Sequence, residues 1–289
     1  MSRSHPPTLI KLVQATLKDL DLRGARLLVA VSGGPDSMAL LHVLALSQQK
    51  LGLRVWAHGV DHGLRGEAGA ELDLAQALAE AHGVAFTRSR ISLPKGGNLQ
   101  ERARVARYRE LEAVAQHHEA LVCTAHHADD RAETLLLRLL RGSGPGGLAV
   151  LPPRSGDRVR PMIRATRGDV LRHVERHALQ VASDPSNADP RFLRVRVRRE
   201  LLPLLEQLSP GIVGHLTALA DQLGEESALR GGLNRAQVQA LQHALIQQQP
   251  VELALKGGQT LKFAPESASG TEQPSRGTRG TLSLRRSSK

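Results

Sequence analysis

Cysteine is nearly absent from this chain of 289 residues, where Cys123 stands alone. One thiol cannot form an intrachain disulfide, a Cys-x-x-Cys redox pair or a four-cysteine cluster. Its flanks, Leu121-Val122-Cys123-Thr124-Ala125, predict a buried strand residue rather than a nucleophile. Aromatic residues are scarce too, at 2%, which argues against the stacking platforms of RRM-type and OB-type nucleic-acid binders and leaves recognition to arginine and backbone groups. No run of about twenty apolar residues is present to span a bilayer, and Met1-Ser2-Arg3-Ser4-His5-Pro6-Pro7 has no apolar signal core behind it. The expectation is a cytoplasmic protein with no membrane partner.

What is present is basic charge and enough apolar content for a core. Lys and Arg number 39 against 28 Asp and Glu, a net charge of +11, which favours a polyanionic partner, nucleic acid first. Forty per cent apolar residues over this length suffice for one large domain and a smaller one.

The most informative stretch is Leu27-Leu28-Val29-Ala30-Val31-Ser32-Gly33-Gly34-Pro35-Asp36-Ser37-Met38. It reads as a buried strand, a glycine turn and a helix start, the arrangement in which backbone N–H groups and a helix N-terminus meet an anion. Pro35 suits the first helical turn, where its missing donor costs little. The lysine of a Walker A loop is missing. Asp36 stands where it would repel bare phosphate, so a Mg2+ between its carboxylate and a pyrophosphate is expected.

Apolar periodicity continues the pattern. Helices are predicted over 8–20, 36–50, 68–82, from Asn98 (a capping-box position) to about His118, and over 131–141, with strands at 26–31, 53–60, 84–88 and 120–125. Arg131, Arg138 and Arg141 are expected on a different face of their helix from the buried leucines. Residues 142–147 read as a mobile glycine-rich loop and 150–163 as a proline-containing connection, followed by a helix at 166–179, the arginine cluster 191–199 and an apolar helix at 200–208. Strands alternating with long helices specify an α/β fold, a doubly wound, mainly parallel Rossmann-like sheet over residues 1–209. A small, mainly helical, tRNA-binding domain is expected over 210–265, with two helices in 212–248 and a possible hairpin in 250–264. Residues 266–289 read as a disordered tail.

Three polar clusters, Ser32–Ser37, Asp61–Arg65 and His126–Asp130, each follow a strand, so the sheet aims them at one rim. Asp61-His62 and His126–Asp130 also suit a two-metal hydrolase, but that reading leaves the glycine loop unexplained.

Ser-Gly-Gly-Pro-Asp-Ser resembles the signature of the PP-loop ATP pyrophosphatases. His58-Gly59-Val60-Asp61-His62-Gly63-Leu64-Arg65, Glu101-Arg102-Ala103-Arg104 with Arg107-Tyr108, Thr124–Asp130 continuing to Glu133-Thr134, Arg138–Gly144, Arg160-Pro161, Arg167, Asp184 with Ser186-Asn187, and Arg196 before Leu201-Leu202-Pro203 are similar to the tRNA(Ile)-lysidine synthetase family. The resemblance covers about residues 25–210. It implies an ATP-dependent ligase acting in tRNA modification, which adenylates the wobble cytidine of the isoleucine tRNA with a CAU anticodon, joins free L-lysine at C2 to make lysidine, and releases AMP and pyrophosphate. Codon reading then changes from AUG to AUA.

On that resemblance Ser32, Gly33, Gly34, Pro35, Asp36 and Ser37 hold ATP and Mg2+, with Ala30, His58, Asp61 and His62 flanking the nucleotide. Asp130 and Glu133, three apart on one helix, are candidates for the lysine ammonium or its proton, and Arg107 for the developing phosphate charge. Arg65, Arg191, Arg194, Arg196, Arg198 and Arg199 are assigned to tRNA phosphates. The family's usual Arg-Asn-x-x-Arg is replaced here by Arg194-Val195-Arg196-Val197-Arg198, so single roles within that run do not carry over. The chain is also shorter than the longer family members. PP-loop thiolases, which need cysteines, amidotransferase-linked synthetases and a non-catalytic RNA-binding protein are the competing readings. The oligomeric state, a homodimer included, stays open.

Overall fold

A computed structural model describes residues 7–61, 63, 68–91, 97, 99–182, 192–229, 233, 235–247, 249–254, 259–265 and 280–286. The chain divides into two compact units, Met1–Asp221 and Gln222–Lys289. The first carries α1 (Leu9–Asp19), β1 (Arg26–Val31), α2 (Pro35–Leu51), β2 (Arg54–Asp61), α3 (Ala68–Ala81), β3 (Ala85–Arg90), α4 (Leu99–His117), β4 (Leu121–Cys123) and α5 (Ala128–Leu139). It continues with α6 (Pro145–Leu148), β5 (Arg154–Ser155), β6 (Arg158–Val159), α7 (Arg167–Arg176), α8 (Leu193–Arg196), a π-helical turn Val197–Leu201, α9 (Leu202–Leu208) and α10 (Ile212–Leu229), within which the boundary falls.

The sheet order is β3-β2-β1-β4-β6-β5, parallel except for the β5–β6 pair. β1 is central, with Leu27 opposite Val55 on one side and Leu121 on the other. Its residues alternate between two layers, as the pleat requires. Leu27, Val29 and Val31 join the core built with α1, α2, α3 and α7, whereas Leu28 and Ala30 pack with Leu111 and Ala115 of α4. From β1 the chain winds outward to β2 and β3, then returns to the other side of β1 as β4. The strand order therefore reverses between β1 and β4, where such sheets open a crevice at their carboxyl ends.

The doubly wound fold matches the expectation, and the differences are local. The 150–163 connection contains the short strands β5 and β6, and the 142–147 loop runs into α6, where Arg138 Nη1 donates to Gly147 O at 2.6 Å. The first unit runs past the expected boundary at 210 because Val213 and Leu216 of α10 pack with Ala132 and Leu136 of α5, and Ala220 with Leu135. Helices prevail over the expected 210–265 segment, and the hairpin expected in 250–264 is present within the second unit. Beside α11 (Arg235–Gln247) it holds an antiparallel sheet of β7 (Val251–Ala254), β8 (Gln259–Pro265) and β9 (Gly280–Arg286), with Glu252 paired to Lys262 at 2.7 Å across β7 and β8. β9 lies in the expected disordered tail. Thr281-Leu282-Ser283-Leu284-Arg285 alternates polar and apolar residues, a period-two pattern hidden by the polar composition around it. Among the described residues no helix is long and apolar enough to cross a membrane.

Arg131 corrects a further expectation. It is only 2% exposed and points inward: Nε donates to Val150 O at 2.9 Å, Nη2 pairs with Asp221 of α10 at 2.7 Å, and Nη1 has no hydrogen-bond partner. Asp221→Ala leaves this buried cation without its counter-charge and is expected to lower stability by about 1–3 kcal/mol in urea unfolding. An unchanged midpoint would mean that the pair contributes nothing.

Candidate active site

The loop after β1 is held in shape by its own atoms. Gly33 sits at φ +77°, and a Cβ there would fall 2.4 Å from the Glu71 carbonyl oxygen of α3. Only glycine is tolerated by both its conformation and its neighbour. Ser37 Oγ accepts from Ser32 N–H at 3.2 Å and donates to Gly34 O at 3.0 Å, while Ala182 N–H donates to Gly33 O at 2.9 Å. Ser37 is buried and braces the loop rather than presenting its hydroxyl, whereas Ser32 is exposed. Gly34 is different again. At φ −73° and, among the described residues, with nothing nearer to an added Cβ than Ser32 Oγ at 3.8 Å, neither conformation nor a described contact demands glycine there. Its missing side chain leaves open space at the start of α2, where an approaching anion would meet backbone and helix dipole.

Asp36 stands on the first turn of α2 and faces the end of β4. Buried His127 places Nε2 3.8 Å from Asp36 Oδ1 and 3.5 Å from Asp130 Oδ2, and Nδ1 3.5 Å from Asp129 Oδ2. Loss of water pushes the Asp36 carboxyl up, aided by Asp130 and opposed by His127, Arg167 and Arg198. Burial alone would depress His127, but Asp129, Asp130 and Asp36 outweigh it, so its pKa is raised. Burial would raise Asp129, yet His127 and the Arg167 backbone N–H, which donates at 2.7 Å, hold it low. His126, with Nδ1 2.9 Å from Thr124 Oγ1, behaves in the opposite way: burial, with Arg160, Arg194 and Arg107 opposing Asp130, holds it down to about 4. The two adjacent histidines are shifted in opposite directions, His127 towards its protonated form and His126 towards its neutral one.

Several candidates have partners the sequence did not reveal. Glu133 is 1% exposed and is gripped by Arg194, Nε to Oε2 at 3.0 Å, and by Arg198 through Nε and Nη2, the latter at 2.9 Å. Arg194 also reaches Asp130 Oδ1 at 3.1 Å. Arginines thus pair with both carboxylates: Arg198 is half-buried over them, whereas Arg194 reaches them from an exposed position. Arg196 pairs with Glu200 at 3.0 Å on the surface, and Arg199 is exposed. His58 is 3% exposed, with Nδ1 2.7 Å from Thr87 Oγ1 and Nε2 3.0 Å from Ser89 Oγ, so its imidazole is spent on β3. Asp61 accepts from Gly63 N–H at 2.8 Å and faces Arg90 at 3.6 Å, and the Ala30 side chain packs towards α4. Arg107 lies 5.6 Å from the Tyr108 ring centre and is one of the arginines whose charge disfavours protonation of His126. His62, Arg65 and Arg191, with Asn98, Asp184, Ser186 and Asn187, lie outside the described residues. The sequence places His127 and Asp129 in the polar cluster after β4 and Arg167 among the family motifs without giving any of them an individual role; the long-range contact of Arg167 with Asp129 has no local signature. Cys123 is fully buried and its thiol is pushed up by burial, as a structural residue requires.

Because its folded pKa is raised, protonated His127 contributes stability that is complete below its free value of 6.5 and is lost as pH rises through the folded value. Imidazole NMR should therefore show His127 titrating above 6.5 and His126 near 4, and His127→Gln should remove the high-pH loss of stability. The reverse order of titration would overturn this charge assignment.

The PP-loop domain family matches residues 8–205. The tRNA(Ile)-lysidine synthase of Thermobifida fusca is 39% identical over 244 residues, covering 82% of this chain and 75% of that protein. That of Symbiobacterium thermophilum is 39% identical over 224 residues, 73% of this chain but 46% of the relative, so the chain spans under half of some longer members. Among solved structures, a U34-tRNA thiolase from Methanococcus maripaludis with its [4Fe-4S] cluster superposes with a TM-score of 0.65 at 19% identity, over 75% of this chain and 78% of that one, a likeness of fold. With the glycine loop seated at the sheet's switch point and these relatives along most of its length, the chain belongs to the tRNA(Ile)-lysidine synthase family of PP-loop proteins.

Proposed function

We propose that this chain ligates free lysine to C2 of the wobble cytidine in the CAU-anticodon isoleucine tRNA, using ATP and releasing AMP and pyrophosphate. The observation that carries the proposal is the glycine loop at the start of α2, side-chain-free at Gly34, followed by Asp36, whose carboxylate lies by His127 and, through it, the Asp129 and Asp130 cluster. The C2 carbonyl oxygen of cytidine is a poor leaving group. Transfer of AMP to that oxygen turns it into a good one, and the lysine amine then displaces AMP.

The residues suit the division of labour this requires. Ser32, Gly33 and Gly34 offer an anion cradle for the pyrophosphate. Asp36, 42% exposed at the mouth with a raised pKa, has the donor chemistry for Mg2+, which would neutralise phosphate charge when bound. Arg107 of α4, whose charge acts on His126 after β4, suits the developing phosphate charge. Asp130 remains the candidate contact for the lysine ammonium, while Glu133 acts as a positioning residue by fixing Arg194 and Arg198. A thiolase reading fails on Cys123, the one cysteine and fully buried.

Incubation with ATP, Mg2+, radiolabelled lysine and unmodified isoleucine tRNA should label that tRNA and leave elongator methionine tRNA unlabelled. Asp36→Asn should reduce AMP release by about 100-fold or more while tRNA affinity stays within about twofold. Equal loss of both would remove Asp36 from the ATP site.

The arginine run is expected to divide by function. Arg196→Ala with Arg199→Ala should weaken tRNA binding and lower its salt slope by roughly one per lost phosphate contact. Arg198→Ala should instead lower thermal stability, because it leaves buried Glu133 underpaired. A salt slope unmoved by the double substitution would place the tRNA surface elsewhere.

A further inference from the structure

Away from the crevice, histidines gather between α2 and α7. His42 lies in the middle of α2, His173 in the last turn of α7, His177 at the C-cap of α7, and His82 after α3. Ring centroids are 5.1 Å apart for His42 and His173, 4.7 Å for His42 and His177, 4.5 Å for His173 and His177, and 4.8 Å for His42 and His82. His42 Nδ1 and His173 Nε2 are 2.9 Å apart, and one ligating nitrogen from each of His42, His173 and His177 lies within 4.8 Å of the others. Neither the nucleotide cradle nor the carboxylate cluster uses any of them.

We propose that His42, His173 and His177 form a site for a borderline divalent transition metal of the Zn2+ class.

The donor set decides the metal. Imidazole nitrogens suit Zn2+, Co2+ or Ni2+, whereas Mg2+ and Ca2+ take oxygen. The spacing of His173 and His177, four residues apart, puts both rings on one helix face. Metal–nitrogen bonds of about 2.0–2.1 Å place tetrahedral ligands about 3.3–3.4 Å apart. The His42–His173 pair at 2.9 Å needs only slight opening and a tautomer change in the donating ring. The closure from 4.8 Å falls to His177, which is exposed and able to rotate, while His42 and His173 are each 5% exposed. The exposed side gives the ion its route in. Bound there, it would tie α2, whose start forms the glycine loop, to α7, whose first N–H holds Asp129.

The test uses the full chain and Co2+ alone as the probe, followed by visible absorption, with Zn2+ calorimetry in parallel. One equivalent is expected to bind, with tetrahedral cobalt absorption and a rise in Tm on metal addition. His177→Ala, an exposed change that should preserve the fold by circular dichroism, is expected to weaken binding at least about tenfold and abolish the rise. In NMR, Zn2+ should shift the His42 and His173 imidazole signals of the unmodified protein. Absence of saturable binding, or binding unaltered by His177→Ala, would overturn the proposal. Neither readout depends on ATP or tRNA.

Discussion

Charge balance around one buried imidazole organises the crevice. His127 has carboxylates of Asp36, Asp129 and Asp130 within 3.8 Å, and like charges at such range destabilise one another unless cations stand between them. The three carboxylates favour the protonated form of His127, which supplies one such cation below its raised pKa. Arg194 and Arg198 supply two more through Asp130 and Glu133, and the α7 backbone stabilises Asp129. These partners come from α2, the end of β4, α5, α7 and the helical segment after Phe192. The charge network therefore ties together segments far apart in sequence, from Asp36 on α2 to Arg198, and the glycine loop is positioned against it rather than standing alone.

This arrangement explains why one basic run serves two ends. A surface arginine is free to meet a polyanion, but an arginine whose guanidinium is fixed by a buried carboxylate is part of the architecture. Arg194 and Arg198 lie four apart and share Glu133, so they necessarily point the same way. Arg196, between them in sequence, is directed elsewhere and meets only Glu200. The π-helical turn Val197–Leu201 falls within this segment, where Val197 joins the core with Ala132 and Leu136 of α5. The same helix thus packs against α5 through Val197 and balances it electrically through its arginines.

α2 and α7 carry the second theme. α2 presents the loop and Asp36 at its start and His42 further along, while α7 presents its first N–H to Asp129 and its histidines to His42. Their packing also buries Val170 in the core shared with Val43 and Leu44. Whatever changes the separation of these helices acts on both ends at once, because a close-packed interior transmits displacement.

The central strands and their helices were legible because β1, β2 and β4 are apolar runs bounded by glycine and polar clusters, and burial on both faces of a parallel sheet enforces that pattern. The glycine loop was legible because a phosphate cradle needs small residues at fixed positions before a helix. β5 and β6, two residues each, are too short to carry periodicity, and β9 was obscured by its polar surroundings. Above all, composition could not say which charged residues were already taken. Arg131 reads as a surface residue until Val150 and Asp221 enclose it, and Glu133 reads as an available carboxylate until Arg194 and Arg198 arrive from beyond sixty residues away. Local sequence determined the loop, the core strands and the family of chemistry, since these depend on neighbouring residues. Tertiary structure alone decided which charges are paired and which are exposed, because an ion pair is set by distance in space.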